Sequence, residues 1–205
     1  MKKNKFSKNW IIKQKRDIYV KQSKIEGYRS RAVYKLKEIN EKFKFLKSGI
    51  QLVDLGAAPG SWSQFVSKNF KNSKIVSIDL KEMKEIDGVH QMVGDFTEEY
   101  HKKKIIDYFG GKIDAVISDM AVNTTGNKSL DSIVTGELSI DALNFSTDIL
   151  KKRGCFVSKI FMGPSFNEIV TKAKKNFENV YVFKPPASRK DSKENFIICK
   201  FLRMK

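Results

Sequence analysis

Two charged residues stand where apolar ones belong. The run I-D-A-V-I-S-D-M (113–120) reads as a buried strand that ends on Asp119, and C-F-V-S-K-I-F (155–161) reads as another that is interrupted by Lys159. An ammonium among Val157, Ile160 and Phe161 costs several kcal/mol unless it is paired or neutralised. If the two strands are parallel neighbours, Asp119 and Lys159 stand side by side at the carboxyl edge of the sheet, each the partner that makes the other's burial tolerable. The plainer reading is a lysine snorkelling from a strand end. A second constellation lies upstream in V-D-L-G-A-A-P-G-S-W-S-Q (53–64), where a strand carrying Asp54 runs into a turn and then a helix from Ser61. Gly56 and Gly60 have no Cβ, so a ligand can lie against bare backbone there. Asp79 ends the next apolar strand, 19 residues after Gly60, where an acidic side chain accepts hydrogen bonds from the ribose hydroxyls of an adenosine cofactor. Asp95, in V-G-D-F, is placed to reach an adenine amino group, or to cap the helix that follows. Trp62 either walls this pocket or packs in the core.

The elements that position these residues alternate in type. The spacing of Ala32, Leu36, Ile39 and Phe43 predicts an amphipathic helix over 29–44, with Lys35 off its apolar stripe. Strands are predicted at 50–55, 74–79, 89–93, 113–118 and 155–161. Helices are expected at 61–70, from Thr97 to a stop at Gly110-Gly111, and from 131 to 152, the last ending in Lys151-Lys152-Arg153 before Gly154. A helix with Phe166, Val170, Ala173 and Phe177 on one face precedes two closing strands, 180–183 and 196–202, joined by a polar loop. This order predicts an α/β domain: a mostly parallel seven-stranded sheet, helices on both faces, and one antiparallel strand near the C-terminus.

Composition limits the function. A chain of 205 residues with 40% hydrophobic content predicts one domain. No apolar run suits a bilayer span, and the N-terminus has no apolar stretch of a secretory signal, so no membrane role is expected. Cys155 and Cys199 read as reduced, buried thiols, and His90 and His101 lack companions at metal spacing, so no metal is expected. The net charge is +17, unevenly placed. Residues 1–47 carry 16 Lys/Arg against 4 Asp/Glu, residues 151–205 carry 14 against 4, and the middle carries 10 against 15. Two basic ends around an acidic centre suit a polyanion gripped beside a cofactor pocket; a solvated lysine-rich surface is the alternative. Residues 1–24 are basic, show no sustained period and read as a mobile arm, leaving 25–205 as the folded domain.

The turn is not the G-x-G-x-x-G of dinucleotide enzymes; it resembles the cofactor loop of S-adenosylmethionine (SAM) methyltransferases. Across residues 27–202 the chain resembles the FtsJ/RrmJ family of ribose 2′-O-methyltransferases. The resemblance rests on R-S-R-A-V-Y-K-L (29–36), D-L-G-A-A-P-G-S-W-S-Q (54–64), S-D-M-A (118–121), S-K-I-F-M-G (158–163) and K-P-P-A-S-R-K-D-S-K-E (184–194). It implies a Rossmann-like SAM-dependent methyltransferase fold and a catalytic tetrad of Lys35, Asp119, Lys159 and Glu194. It also implies SAM contacts at Gly60, Trp62, Asp79, Asp95 and Asp119. Two positions depart from the family pattern: Ser61 stands where a second glycine is common, and Val122 where proline follows S-D-M-A.

What the resemblance implies is methyl transfer from SAM, leaving S-adenosylhomocysteine, to a ribose 2′-hydroxyl of RNA without a metal. The expected target is a uridine of large-subunit ribosomal RNA in the ribosomal particle, and a tRNA anticodon loop is the alternative. The enzyme is expected to act as a monomer in the bacterial cytoplasm, or in an organelle if residues 1–16 are a transit peptide. A non-catalytic RNA-binding assembly factor is the rival class, and the complete tetrad argues against it. A dehydrogenase is excluded by the missing G-x-G-x-x-G. Chemically, the hydroxyl must be aligned with the sulfonium methyl and relieved of its proton, a task for Lys159 as orienter or base.

Overall fold

The computed structural model describes residues 17–121 and 128–203, the side chains of 128–132 excepted. Thirteen elements follow in order among the described residues: α1 (Ile18–Ile25), α2 (Val33–Phe43), β1 (Gln51–Leu55), α3 (Ser61–Asn69), β2 (Lys74–Asp79), β3 (Val89–Val93), α4 (Glu99–Phe109), β4 (Ile113–Ser118), α5 (Lys128–Ile149), β5 (Leu150–Phe161), α6 (Phe166–Asn176), β6 (Phe177–Phe183) and β7 (Glu194–Leu202). The strands form one sheet in the order β3-β2-β1-β4-β5-β7-β6. Neighbours from β3 to β5 are parallel, and β7 runs antiparallel between β5 and β6.

Alternation along the strands divides the core into two layers. Val53, Val76, Val116 and Phe156 face α4, α5 and α6 through Ile105, Phe109, Leu143, Ile149, Ile169 and Ala173. Their chain neighbours Leu52, Ile75, Ala115 and Val157 face α2 and α3 through Val33, Leu36, Ile39, Phe65 and Val66. With helices on both faces the central strands are buried throughout, which is why they read as continuous apolar runs. The chain leaves β1 toward β2 on one side and returns to β4 on the other. The carboxyl ends of β1 and β4 therefore flank the crevice in which open α/β sheets bind ligands.

Three sequence expectations are corrected. The helix expected to end in Lys151-Lys152-Arg153 stops at Ile149, and those basic residues belong to the start of β5. Leu150 pairs with Ile113 and Cys155 with Ala115, so residues 151–154 bulge out opposite Asp114 alone. Lys151 uses its ammonium on Asp114 (2.9 Å) and Gln51 (3.1 Å) instead of on helix carbonyls. Gly154 is no helix cap: a Cβ there would lie 2.8 Å from the Lys151 carbonyl oxygen, so glycine serves the close approach of the bulge. The helix expected over 29–44 begins only at Val33, after N-cap Ala32, and ends at Phe43. Lastly, residues 18–24 of the expected mobile arm form, with Ile25, helix α1. Its N-cap Asp17 accepts hydrogen bonds from the Tyr19 and Val20 N–H groups, and Tyr19 packs 5.2 Å from the Tyr34 ring. Residues 1–16 of that arm, and Val122, lie outside the described residues.

Candidate active site

The sheet register delivers the central pair. Ser118 is level with Ser158 across β4 and β5, so the next residues, Asp119 and Lys159, emerge together at the carboxyl edge. Lys159 Nζ lies 3.0 Å from Asp119 Oδ1 and donates to the Asp119 carbonyl at 2.6 Å. Lys35 comes in from α2, its Nζ 3.4 Å from the Asp119 carboxylate and 3.1 Å from Glu194 Oε2. Glu194 opens β7 opposite Phe161, and Phe196 two residues on lies opposite Lys159, with its ring 5.6 Å beneath the Lys35 ammonium. The four residues expected to form a tetrad are thus brought into one chain of alternating charge, Lys159–Asp119–Lys35–Glu194.

Pairing makes this cluster tolerable. Burial alone would raise the Asp119 carboxyl, but the ammoniums of Lys159 and Lys35 override it and hold the group below the ordinary carboxylate range. Burial likewise pulls Lys35 down, and Asp119 and Glu194 more than reverse that, leaving it above the usual lysine value. Asp119 is therefore ionised and Lys35 charged at neutral pH. Lys159 is 7% exposed, which leaves it a small opening toward solvent. Its backbone is fixed from below by Ser139 of α5, whose hydroxyl lies 2.9 Å from the Lys159 carbonyl oxygen and 3.0 Å from that of Thr135.

The cofactor turn sits beside the tetrad. The Gly56 and Ala57 N–H groups donate to the Ile78 carbonyl at 2.8 and 3.1 Å, tying the turn to β2. Gly60 has φ 98°, in the region open to glycine, and a Cβ there would meet Ile86 at 2.6 Å. Gly60 heads α3 but has no side chain to cap it. Asp54 takes over that task, accepting from Ser63 N (3.1 Å) and Ser63 Oγ (2.7 Å). Full burial pushes the Asp54 carboxyl up to about 7, against the pull of those two bonds. Ser61 is accommodated by a 2.5 Å hydrogen bond between its hydroxyl and that of Ser30.

Asp79 ends β2 as expected. Its two carboxylate oxygens accept from Ala58 N (2.9 Å) and Lys81 N (2.8 Å), which fixes the side chain beside the turn while each oxygen keeps a further lone pair for a hydroxyl donor. Asp95 Oδ1 accepts from Thr97 N at 2.9 Å and Thr97 Oγ1 at 2.7 Å, forming a turn one residue ahead of the N-cap, Glu98. The Trp62 indole is core: it is 3% exposed, donates to the Ala32 carbonyl at 2.8 Å and lies 5.8 Å from the Phe196 ring. What Trp62 can offer a ligand is its backbone N–H in the first turn of α3, whose amides have no partner within the helix. A fixed carboxylate at Asp79, a glycine-containing turn and a helix N-terminus are a donor and acceptor set suited to adenosine and a methionyl chain.

Sequence reasoning missed the supports of this site. Ser139 gave no signal, as one serine among several on a helix. Arg29 and Arg31 were visible in R-S-R, but their charge suggests a grip on a polyanion, whereas both guanidinium groups donate to carbonyl oxygens of the chain.

A mostly parallel Rossmann-like sheet, a G-x-x-P-G turn and an acid at the end of the second strand define a SAM-dependent methyltransferase fold. The chain belongs to the FtsJ-like methyltransferase family, whose model matches residues 28–202. It is 61% identical over 203 residues to the ribosomal RNA large subunit methyltransferase E of Pelagibacter ubique, covering 99% of this chain and 100% of that one. The protein of the same name from Rickettsia akari is 48% identical, over 94% of this chain and 87% of its own. Among solved structures, one from Plasmodium falciparum described as a ribosomal RNA methyltransferase superposes with a TM-score of 0.77 at 32% identity, covering 87% of this chain and all of that one. Human methyltransferase-like protein 13 in complex with SAH, at 14% identity and a TM-score of 0.57 over 80% of this chain and 82% of that one, shares the fold.

Proposed function

We propose that this protein transfers the methyl group of SAM to a ribose 2′-hydroxyl of large-subunit ribosomal RNA, a uridine by the family resemblance. The observation that carries the reading is the chain of paired charges Lys159–Asp119–Lys35–Glu194 next to the cofactor turn. Bound SAM supplies an activated methyl on a sulfonium, so the protein has to align the acceptor oxygen and dispose of its proton. Asp79 takes the ribose of the cofactor, Asp95 its adenine edge, and Gly60 and the Trp62 N–H the methionyl side. Asp119 lies between cofactor and tetrad. Lys159, held by two acceptors on Asp119, directs its remaining N–H toward the incoming 2′-hydroxyl and serves there as orienter or base. Lys35 and Glu194 hold the charge balance around it. No metal enters this scheme.

The target follows from kinship: near-complete coverage at 61% identity supports the large-subunit substrate carried by the relative's name. The two basic ends of the chain suit the RNA backbone, with the segment 1–16 as a further phosphate contact. The Pelagibacter and Rickettsia relatives are bacterial, which supports a cytoplasmic enzyme; action as a monomer on the particle belongs to the same reading. The test is incubation with methyl-labelled SAM and separated large subunits, small subunits and tRNA, followed by digestion to nucleosides. Label is expected in one 2′-O-methylnucleoside from the large subunit. Label in tRNA alone, or in a base, overturns the assignment.

A further inference from the structure

The tripeptide Arg29-Ser30-Arg31 is basic, precedes the helix that carries Lys35, and would be taken for a phosphate grip. Its side chains are occupied elsewhere. Arg29 Nη1 donates to the Pro59 carbonyl of the cofactor turn (3.0 Å) and to that of Lys84 (2.7 Å), and Nη2 donates to that of Glu85 (2.7 Å). Pro59 adjoins Gly60, while Lys84 and Glu85 adjoin Ile86, which packs on Gly60. One guanidinium therefore joins the cofactor turn to the segment that follows Asp79. Its backbone is fixed as well, the Arg29 N–H donating to Gln64 of α3 at 3.1 Å. Ser30 adds the hydroxyl contact to Ser61.

Arg31 points the other way. Its guanidinium donates to the Asp17 carboxylate and to the Ala187 carbonyl, lies 5.5 Å from the Tyr19 ring, and has a side chain only 15% exposed. Ala187 is fully buried, and its N–H donates to Glu38 Oε2 at 2.7 Å. Both backbone groups of this one loop residue are thus gripped from the α2 side. Lys35 and Glu38 are three residues apart on one face of α2, and Arg31 lies in the turn that leads into that helix. The face that presents Lys35 to Glu194 also holds the loop, seven residues upstream, that leads to Glu194. Asp17 completes the clamp, with Arg189 Nε 3.8 Å away.

We propose that Arg29 and Arg31 are positioning residues, not RNA ligands: Arg29 sets the cofactor turn, and Arg31, locked by Asp17 and assisted by Glu38, sets the substrate-side loop against Lys35. The proposal rests on the methyltransferase reading. It makes the R-S-R segment a brace between the two halves of the site.

A phosphate contact and a brace differ in what salt and saturation do. Each phosphate neutralised contributes slightly less than one to the slope of log affinity against log salt. Arg29→Gln is expected to raise the SAM dissociation constant about tenfold, and Arg31→Gln to lower kcat about tenfold at saturating SAM and RNA, both with an unchanged salt slope. Asp17→Asn separates the readings by sign. It leaves every basic residue in place and removes an acid, so it strengthens RNA binding if Arg31 is a phosphate grip, and lowers kcat without strengthening binding if Arg31 is a brace. Unfolding curves and SAM calorimetry on each variant show that the fold persists. A slope shallower by about one in either arginine variant, with SAM affinity and saturated turnover intact, overturns the proposal, as does tighter RNA binding by Asp17→Asn at unchanged kcat. Failure of the wild-type enzyme to methylate large subunits would sink the proposed function instead, while SAM calorimetry and the salt slopes would still judge the brace.

Discussion

At the scale of the residue, the site consists of charges made affordable by one another. Lys159 is the residue proposed to meet the acceptor hydroxyl, and its contacts to Asp119 fix its direction. In the proposed mechanism, replacing it by alanine removes the orienter or proton acceptor, and among the proposed cofactor contacts it disturbs only Asp119, which keeps its pairing with Lys35. Lys159→Ala is therefore expected to slow methyl transfer by roughly 10²-fold or more while SAM affinity stays within a few-fold, measured by single-turnover assay and calorimetry. A folded, SAM-saturated variant of near wild-type rate would remove Lys159 from the chemistry. Asp54 permits a second test, on stability. Burial holds its carboxyl at about 7 in the folded protein, against 3.8 for the free side chain. The folded state thus binds a proton that the unfolded chain has lost between those values. The stabilisation is full below about pH 4 and declines as the pH rises through 7. Asp54→Asn cannot titrate yet still accepts from Ser63. Its unfolding free energy relative to wild type should rise by about 1.4 kcal/mol per pH unit across this window. Parallel profiles for the two proteins in urea melts between pH 4 and 8 would show that Asp54 does not carry the proton.

The elements show why these residues meet. Parallel pairing of β4 and β5 in the register Ser118–Ser158 sets Asp119 beside Lys159, and antiparallel β7 returns Glu194 to the same edge. That register has to absorb the extra residues 151–154, which bulge at the amino end of β5, at the opposite edge from the chemistry. Gly154 is the tight point, since a Cβ would sit 2.8 Å from a backbone oxygen and 3.0 Å from Leu150 Cβ. Gly154→Ala is expected to destabilise the fold by about 1–3 kcal/mol in urea melts and to leave SAM affinity unchanged. A neutral effect would mean that the bulge relaxes freely and does not constrain the register.

For the molecule as a whole, the basic ends and the clamp overlap at the N-terminus. Deleting residues 1–16 removes seven Lys/Arg and no acidic residue, and spares Asp17. The expected outcome is weaker RNA binding and a shallower salt slope, with SAM affinity and saturated kcat unchanged. Extending the deletion to residue 24 also removes Asp17 and Tyr19, so kcat should now fall. Electrophoretic or fluorescence titrations over a salt series decide it: an unaltered slope after the first deletion would show that segment to be no RNA contact.

The sequence alone determined the fold class, because a buried parallel sheet demands continuous apolar strands alternating with amphipathic helices, and 113–118 and 74–79 carry that signal without ambiguity. It also marked Asp119 and Lys159, since a charge inside an apolar strand is conspicuous wherever that strand lies. It misjudged the start of β5, where Lys151-Lys152-Arg153-Gly154 satisfies the local rules for a helix end but pairing with Ile113 and Asp114 decides the outcome. It could not reveal the direction of a long side chain. Whether Arg29 and Arg31 face solvent or reach Pro59, Glu85 and Ala187, and whether Trp62 walls a pocket or fills the core, depends on segments dozens of residues away along the chain. Those contacts exist only once the sheet has brought the loops together, so tertiary structure alone assigned them.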